Sequence, residues 1–140
     1  MSGVGNQHNP LFKYYLNCLK YFATKIYIYD PELIVIRENV TWPEALRYCR
    51  QNHVDLVSVH SEEMQRRVMN VVKLNIWIGL QKTGRDEWKW SSGEPALYLK
   101  WHTGQPNGDE KECVIMSIGH WYAVGCSTIF FIATWQTSYQ

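Results

Sequence analysis

The sequence predicts an α+β fold, and three observations carry that expectation. Two amphipathic helical segments follow one another between Thr41 and Val72, short apolar runs of β character take over from Ile76, and a polar stretch from Ser91 to Glu112 interrupts those runs. The 140 residues are enough for one core but not for two. Fourteen basic and thirteen acidic residues leave a net charge of +1, which gives no electrostatic footprint for nucleic acid or an anionic membrane surface. A charged fraction of 19% beside seven Trp and nine Tyr excludes intrinsic disorder. Lys13 and Lys20 interrupt Leu11–Ala23, and Asp30, Pro31 and Glu32 interrupt Ile26–Ile36. No membrane span is therefore expected, and no signal peptide is read.

Residues 1–26 show no clean period and are left unassigned. Tyr27–Ile36 contains β-formers around Asp30-Pro31 and predicts one or two short strands about a turn. Thr41-Trp-Pro-Glu44 is a capping box: Thr41 caps free N–H groups, Glu44 reaches back, and Pro43 sits where its missing donor costs nothing. The helix it starts buries Ala45, Leu46 and Cys49 and should stop near Asn52. Val54–Val59 suits a short strand or an extended link. Ser61 starts a second helix, with Met64, Val68, Val71 and Val72 on one face. Ile76–Leu80 reads as a buried strand, Glu87–Trp90 alternates, and Cys113–Met116, His120–Val124 and Ile129–Ile132 read as short strands. The polar stretch between them is long enough to suggest a functional loop.

The four cysteines, Cys18, Cys49, Cys113 and Cys126, contain no C-x-x-C pair and leave three disulfide connectivities open. Catalysis is not expected. Cys49 and His53 stand four apart, but no third group orients them. A zinc site from His102, Cys113, His120 and Cys126 lacks a tight chelating pair. Asp86 and Glu87 read as a solvated turn rather than an accessory ion site. Trp77, Trp88, Trp90 and Trp121 lie on strand patterns and are expected in the core. Asn39-Val-Thr41 is a glycosylation sequon, usable if the chain is secreted.

Taken together, the capping-box helix with its cysteine, Trp77-Ile-Gly-Leu80, Trp88-Lys-Trp90-Ser-Ser-Gly93, Gly104-Gln-Pro-Asn107, and Cys113 to Cys126 enclosing a Trp resemble the C-type lectin-like domain. The likeness runs from Tyr27 to about Ala133, so the domain is set at 27–133 with a tail at 134–140. It implies two helices, two small mostly antiparallel sheets, and a long loop that holds a Ca²⁺ ion contacting sugar hydroxyls. It also implies an extracellular location and a Cys113–Cys126 bridge.

Carried over position by position, Gln105 and Asn107 match the loop tripeptide, with a cis peptide before Pro106. Gln105-Pro-Asn107 is a hybrid of the family's mannose-type and galactose-type motifs. Lys111 stands where the family has a Glu, flanked by Glu110 and Glu112, and Tyr122 and Ala123 replace its Asn and Asp. Ala133 stands where the partner of the first-helix cysteine belongs, so Cys49 is expected to be a buried free thiol. Calcium prefers six to eight hard oxygens. The expected ligands, Gln105, Asn107 and Glu112 with Glu110 beside them, therefore make a weak site. Trp101, His102 and Tyr122 are the candidates for ligand contact, with a core or loop-anchoring role equally open to Trp101 and His102. The expected function is a recognition module that binds carbohydrate weakly and at most partly through Ca²⁺. The alternative is a Ca²⁺-independent protein-interaction domain on the same fold.

Overall fold

In the computed structural model, residues 26–30, 33–51 and 55–135 are described, without the side chains of residues 26–30, Cys49 and Val71. Cys18 and His53 lie outside the described residues, as do the side chain of Cys49 and with it the free-thiol expectation. Strands β1 (Ile26–Asp30) and β2 (Leu33–Val40) form an antiparallel hairpin across the expected turn. Helix α1 spans Trp42–Arg50 and helix α2 spans Glu62–Val71. Strands β3 (Ile76–Lys82), β4 (Trp88–Trp90), β5 (Cys113–Ser117), β6 (His120–Val124) and β7 (Phe130–Trp135) follow.

The two small sheets of the expectation are joined into one, in the order β1-β2-β7-β3-β5-β6, with β4 also paired to β3. The reason lies in β3. Its first residues, Ile76 and Trp77, pair in parallel with Phe131 and Ile132 of β7, while Leu80 to Lys82 pair with β4 and the length of the strand pairs with β5. All other pairings are antiparallel. Strand β7 continues through Trp135, past the boundary set at 133. Thr134 is buried and donates to the Asp55 carbonyl, and Trp135 Nε1 donates to the Ser58 carbonyl at 2.6 Å. Ala133 is buried opposite Val35.

The capping box forms as the sequence predicts. Thr41 N donates to the Glu44 carboxylate at 2.9 Å and Glu44 N donates to Thr41 Oγ1 at 3.3 Å. The first of these bonds holds the Glu44 carboxyl below its ordinary value. Two tryptophans then tie β3 to the chain around the helix start, one from α1 and one to the end of β2. Trp42 Nε1 donates to the Ile78 carbonyl and Trp77 Nε1 to the Val40 carbonyl, at 3.0 and 2.7 Å. Residues 55–60 are an extended link rather than a strand. Val57 nevertheless uses both its backbone groups, donating to Ala133 and accepting from Gly79. A side chain at Gly79 would stand 3.0 Å from Ser91 Oγ and 3.2 Å from Leu56 Cβ, so the glycine lets the link approach β3.

Helix α2 buries Val68, and also a polar residue that the apolar pattern did not single out, Gln65. Its Oε1 accepts from Trp121 Nε1 at 3.0 Å, and its Nε2 donates to the Gly119 carbonyl at 2.5 Å. Buried polar groups left without partners carry their full desolvation cost. Replacing Gln65→Leu strands one donor and one acceptor, and is expected to lower unfolding stability by about 2–4 kcal/mol. Urea denaturation at constant m-value checks this, and a loss under about 1 kcal/mol would mean that water replaces the amide.

Candidate functional site

The long loop from Ser91 to Glu112 is held at several points along its length. Ser91 N donates to the Gly79 carbonyl at 2.7 Å and Trp90 N to the Glu94 carbonyl at 2.9 Å. Tyr98 then ties the loop to α2, its hydroxyl donating to Glu62 Oε1 at 2.5 Å, with Lys100 Nζ 3.8 Å from the same carboxylate. Further on, Trp101 lies beside Trp121 in a parallel bridge: Trp121 N donates to the Lys100 carbonyl and His102 N to the Trp121 carbonyl, both at 3.0 Å.

These anchors decide the role of Trp101. It is half-buried, and its ring meets Trp88 and Trp121 edge to face at centroid distances of 5.1 and 6.0 Å. Trp101 takes the anchoring role that the sequence left open beside ligand contact, packed on the aromatic core where Trp90 and Trp121 are buried and Trp88 partly so; Trp77 is buried in the neighbouring cluster. His102 is exposed, and its ring stacks on Tyr122 at 4.9 Å and 22° between planes, with His120 edge-on at 5.6 Å. Those three rings share one face at the start of β6.

The base of the site is braced by the Cys113–Cys126 disulfide, which joins the start of β5 to the residues after β6. Trp42 N donates to the Cys126 carbonyl at 3.2 Å and couples the bridge to α1. The Gln105–Pro106 peptide is cis. Gln105 Oε1, one of the two amide oxygens expected to face an ion, accepts from Ala123 N at 3.1 Å. The other, Asn107 Oδ1, faces Lys111 Nζ at 3.4 Å. Glu110 and Glu112 are exposed. Gly108, at φ +85, lies under the Lys111 stem, and a Cβ added there would stand 2.9 Å from Lys111 Cδ. Thus each amide oxygen already has a donor, and a cation from the chain itself sits at the loop. No group of three or more His, Cys, Asp or Glu that could hold a metal occurs among the described residues. This donor set does not fit a calcium ion. Across the loop, Asp86 is exposed in a turn at φ 66 and pairs with Lys82 at 3.3 Å.

The order of elements, the disulfide and the loop geometry agree with comparison against known proteins, in which the profile of the Lectin C-type domain matches residues 38–131. The chain belongs to the C-type lectin domain family. It is 36% identical over 117 residues to the C-type lectin lectoxin-Lio1 of Erythrolamprus poecilogyrus, across 73% of this chain and 72% of that protein. It is 37% identical over 90 residues to the low affinity immunoglobulin epsilon Fc receptor of Mus musculus, across 61% of this chain but only 27% of the receptor. Among solved structures, the cow C-type carbohydrate-recognition domain of CD23, determined in the presence of an oligosaccharide, is 26% identical with a TM-score of 0.70. That match covers 83% of this chain and 95% of the cow domain. As a C-type lectin domain the chain is a recognition module, and no helix among its described residues is long and apolar enough to cross a membrane.

The contact of Lys111 with Asn107 is made within a loop, where a four-residue spacing carries no periodic signal. Tyr98 carried no signal, because its partner Glu62 is 36 residues away.

Two expected outcomes follow from these anchors. The disulfide closes a loop with a sequence separation of 13, so Cys126→Ser should cost about 3 kcal/mol in urea unfolding. The Tyr98 hydroxyl is the main cause holding the Glu62 carboxyl below its ordinary value, while burial pushes the Tyr98 phenol up. A lowered carboxyl stabilises the fold above the ordinary carboxylate range and loses that contribution as pH falls through the lowered value. In Tyr98→Phe, carbon-detected NMR titration should therefore show the Glu62 midpoint rising towards the ordinary value; an unmoved midpoint would show that the hydroxyl is not its partner.

Proposed function

We propose that this C-type lectin domain is a non-catalytic module that binds carbohydrate weakly and without calcium. The observation that carries the reading is the pair of contacts from Ala123 N to Gln105 Oε1 and from Lys111 Nζ to Asn107 Oδ1. An ion entering here would find only one lone pair left on each amide oxygen and would share the loop with an ammonium group. The loop has its own internal cation instead. Sugar hydroxyls would then be bound by protein donors and acceptors, with the stacked His102 and Tyr122 rings beside them. Direct hydrogen bonds to hydroxyls that water also satisfies leave little net affinity, which is why the binding is weak.

An extracellular setting suits the Cys113–Cys126 bridge, since such bridges persist where conditions are oxidising. Asn39 is exposed near the end of β2, so its sequon is open to a glycan there. The protein-binding alternative draws on Leu97 and Leu99, which stand 89% and 46% exposed on the same loop. Isothermal titration with Ca²⁺ and a glycan array with and without EDTA separate the readings. Expected are no calcium site tighter than about millimolar and sugar binding unchanged by EDTA. A micromolar calcium site, or sugar binding abolished by EDTA, would overturn calcium independence, and an array with no bound glycan would favour the protein ligand.

A further inference from the structure

We propose that the groove between the loop and strands β5 and β6 takes an anionic sugar, with Lys111 as its charge partner. The inference rests on the sugar-binding reading above and names the ligand class for it. The groove has a volume of about 300 Å³ and is lined by Gln105 and Lys111 from the loop, Ile115 and Ser117 from β5, and Tyr122 and Val124 from β6. That volume is at the small end of ligand pockets and suits a single pyranose ring rather than an extended chain.

The walls divide by chemistry. Ile115, Val124 and the Tyr122 ring offer apolar surface to the C–H face of a sugar, and Ser117 offers a hydroxyl to its polar edge. Lys111 is the one charged side chain in the lining. Three acids flank it in sequence but lie outside this lining: Asp109 lines a separate polar recess with Lys82 and Asp86, and Glu110 and Glu112 are exposed, Glu110 beside Gly108. An ammonium group has three N–H donors, and the 3.4 Å contact to Asn107 uses one of them. The stem of Lys111 is packed over Gly108, so the cation is positioned rather than free to swing. An apolar wall beside a placed cation with spare donors matches a sugar that carries a carboxylate or a sulfate ester. A charge-assisted hydrogen bond to such a group is worth more than one to a neutral hydroxyl.

The test is an NMR titration of the full chain in EDTA with glucuronic acid against glucose, and with galactose 6-sulfate against galactose. The acidic member should bind about tenfold more tightly, with the gap narrowing as sodium chloride is raised. Lys111→Gln should lose the preference and Lys111→Arg should keep it, with thermal melts confirming that both variants fold. A preference for the uronate alone assigns a carboxylate ligand, and for the sulfate alone a sulfate ester; either supports the groove. Equal affinity within both pairs overturns the anionic inference and leaves the sugar-binding reading standing. Failure of all four sugars to bind overturns the anionic groove, while the glycan array decides the sugar-binding reading separately.

Discussion

Trp121 buries an entire indole, and its N–H must find an acceptor away from water; Gln65 of α2 supplies that acceptor at 3.0 Å. The same amide donates to the Gly119 carbonyl in the turn between β5 and β6, so one side chain satisfies two partners more than fifty residues further along the chain. Around Trp121, the rings of Trp90, Tyr98 and Trp101 pack edge to face at centroid distances of 5.7 to 6.0 Å. The backbone of Trp121 also bonds to Lys100 and His102 on either side of Trp101. The loop is therefore positioned from beneath by one buried residue whose polar atom is satisfied. Such networks cost most when half-satisfied, which is why the amide cannot be exchanged for an apolar side chain of similar volume.

What was legible in the sequence is what local chemistry writes into it. The capping box at Thr41 and Glu44, the i, i+4 spacing of Met64 and Val68, and the apolar run Ile76–Leu80 each depend on neighbours a few residues away, and each forms where expected. The resemblance added the pairing of Cys113 with Cys126 and the cis bond before Pro106, which no local rule supplies. Illegible were features set by distant partners. The sequence left Trp101 open between ligand contact and loop anchoring, because the partners it packs on, Trp88 and Trp121, are set by the fold. Gln65 was not singled out, because nothing near it in sequence announces a buried indole N–H. The parallel pairing of β3 with β7 joins residues more than fifty positions apart and leaves no periodic trace.

At the loop the change from the family pattern is one of sign. A carboxylate at position 111 would add a negative charge to the loop, whereas Lys111 adds a positive one and stands 3.4 Å from Asn107 Oδ1. The loop keeps its backbone path because Gly108 makes room for the lysine stem and the Ala123 N–H supports Gln105. A divalent ion bound from solution orders a loop only while its free concentration lasts, but a tethered ammonium is always present at high effective concentration. On the calcium-independent reading proposed above, the loop is held by groups of the chain itself.

The position of β7 also governs the order in which the chain can assemble. It lies between β2 and β3, pairing Leu33 with Trp135 on one side and Trp77 with Ile132 on the other. Until β7 arrives, the β1–β2 hairpin has no backbone ladder to the rest of the sheet, and the edge of β2 that carries Leu33, Val35 and Ile36 is unpaired on that side. Pairing across about a hundred residues requires a long loop to close before its contacts can stabilise it, which places the domain among slow, topology-limited folders. On a ribosome the hairpin emerges first and must wait with an apolar edge uncovered until the final strand is made. During that interval a holding chaperone, or a second nascent chain, can take the place reserved for β7.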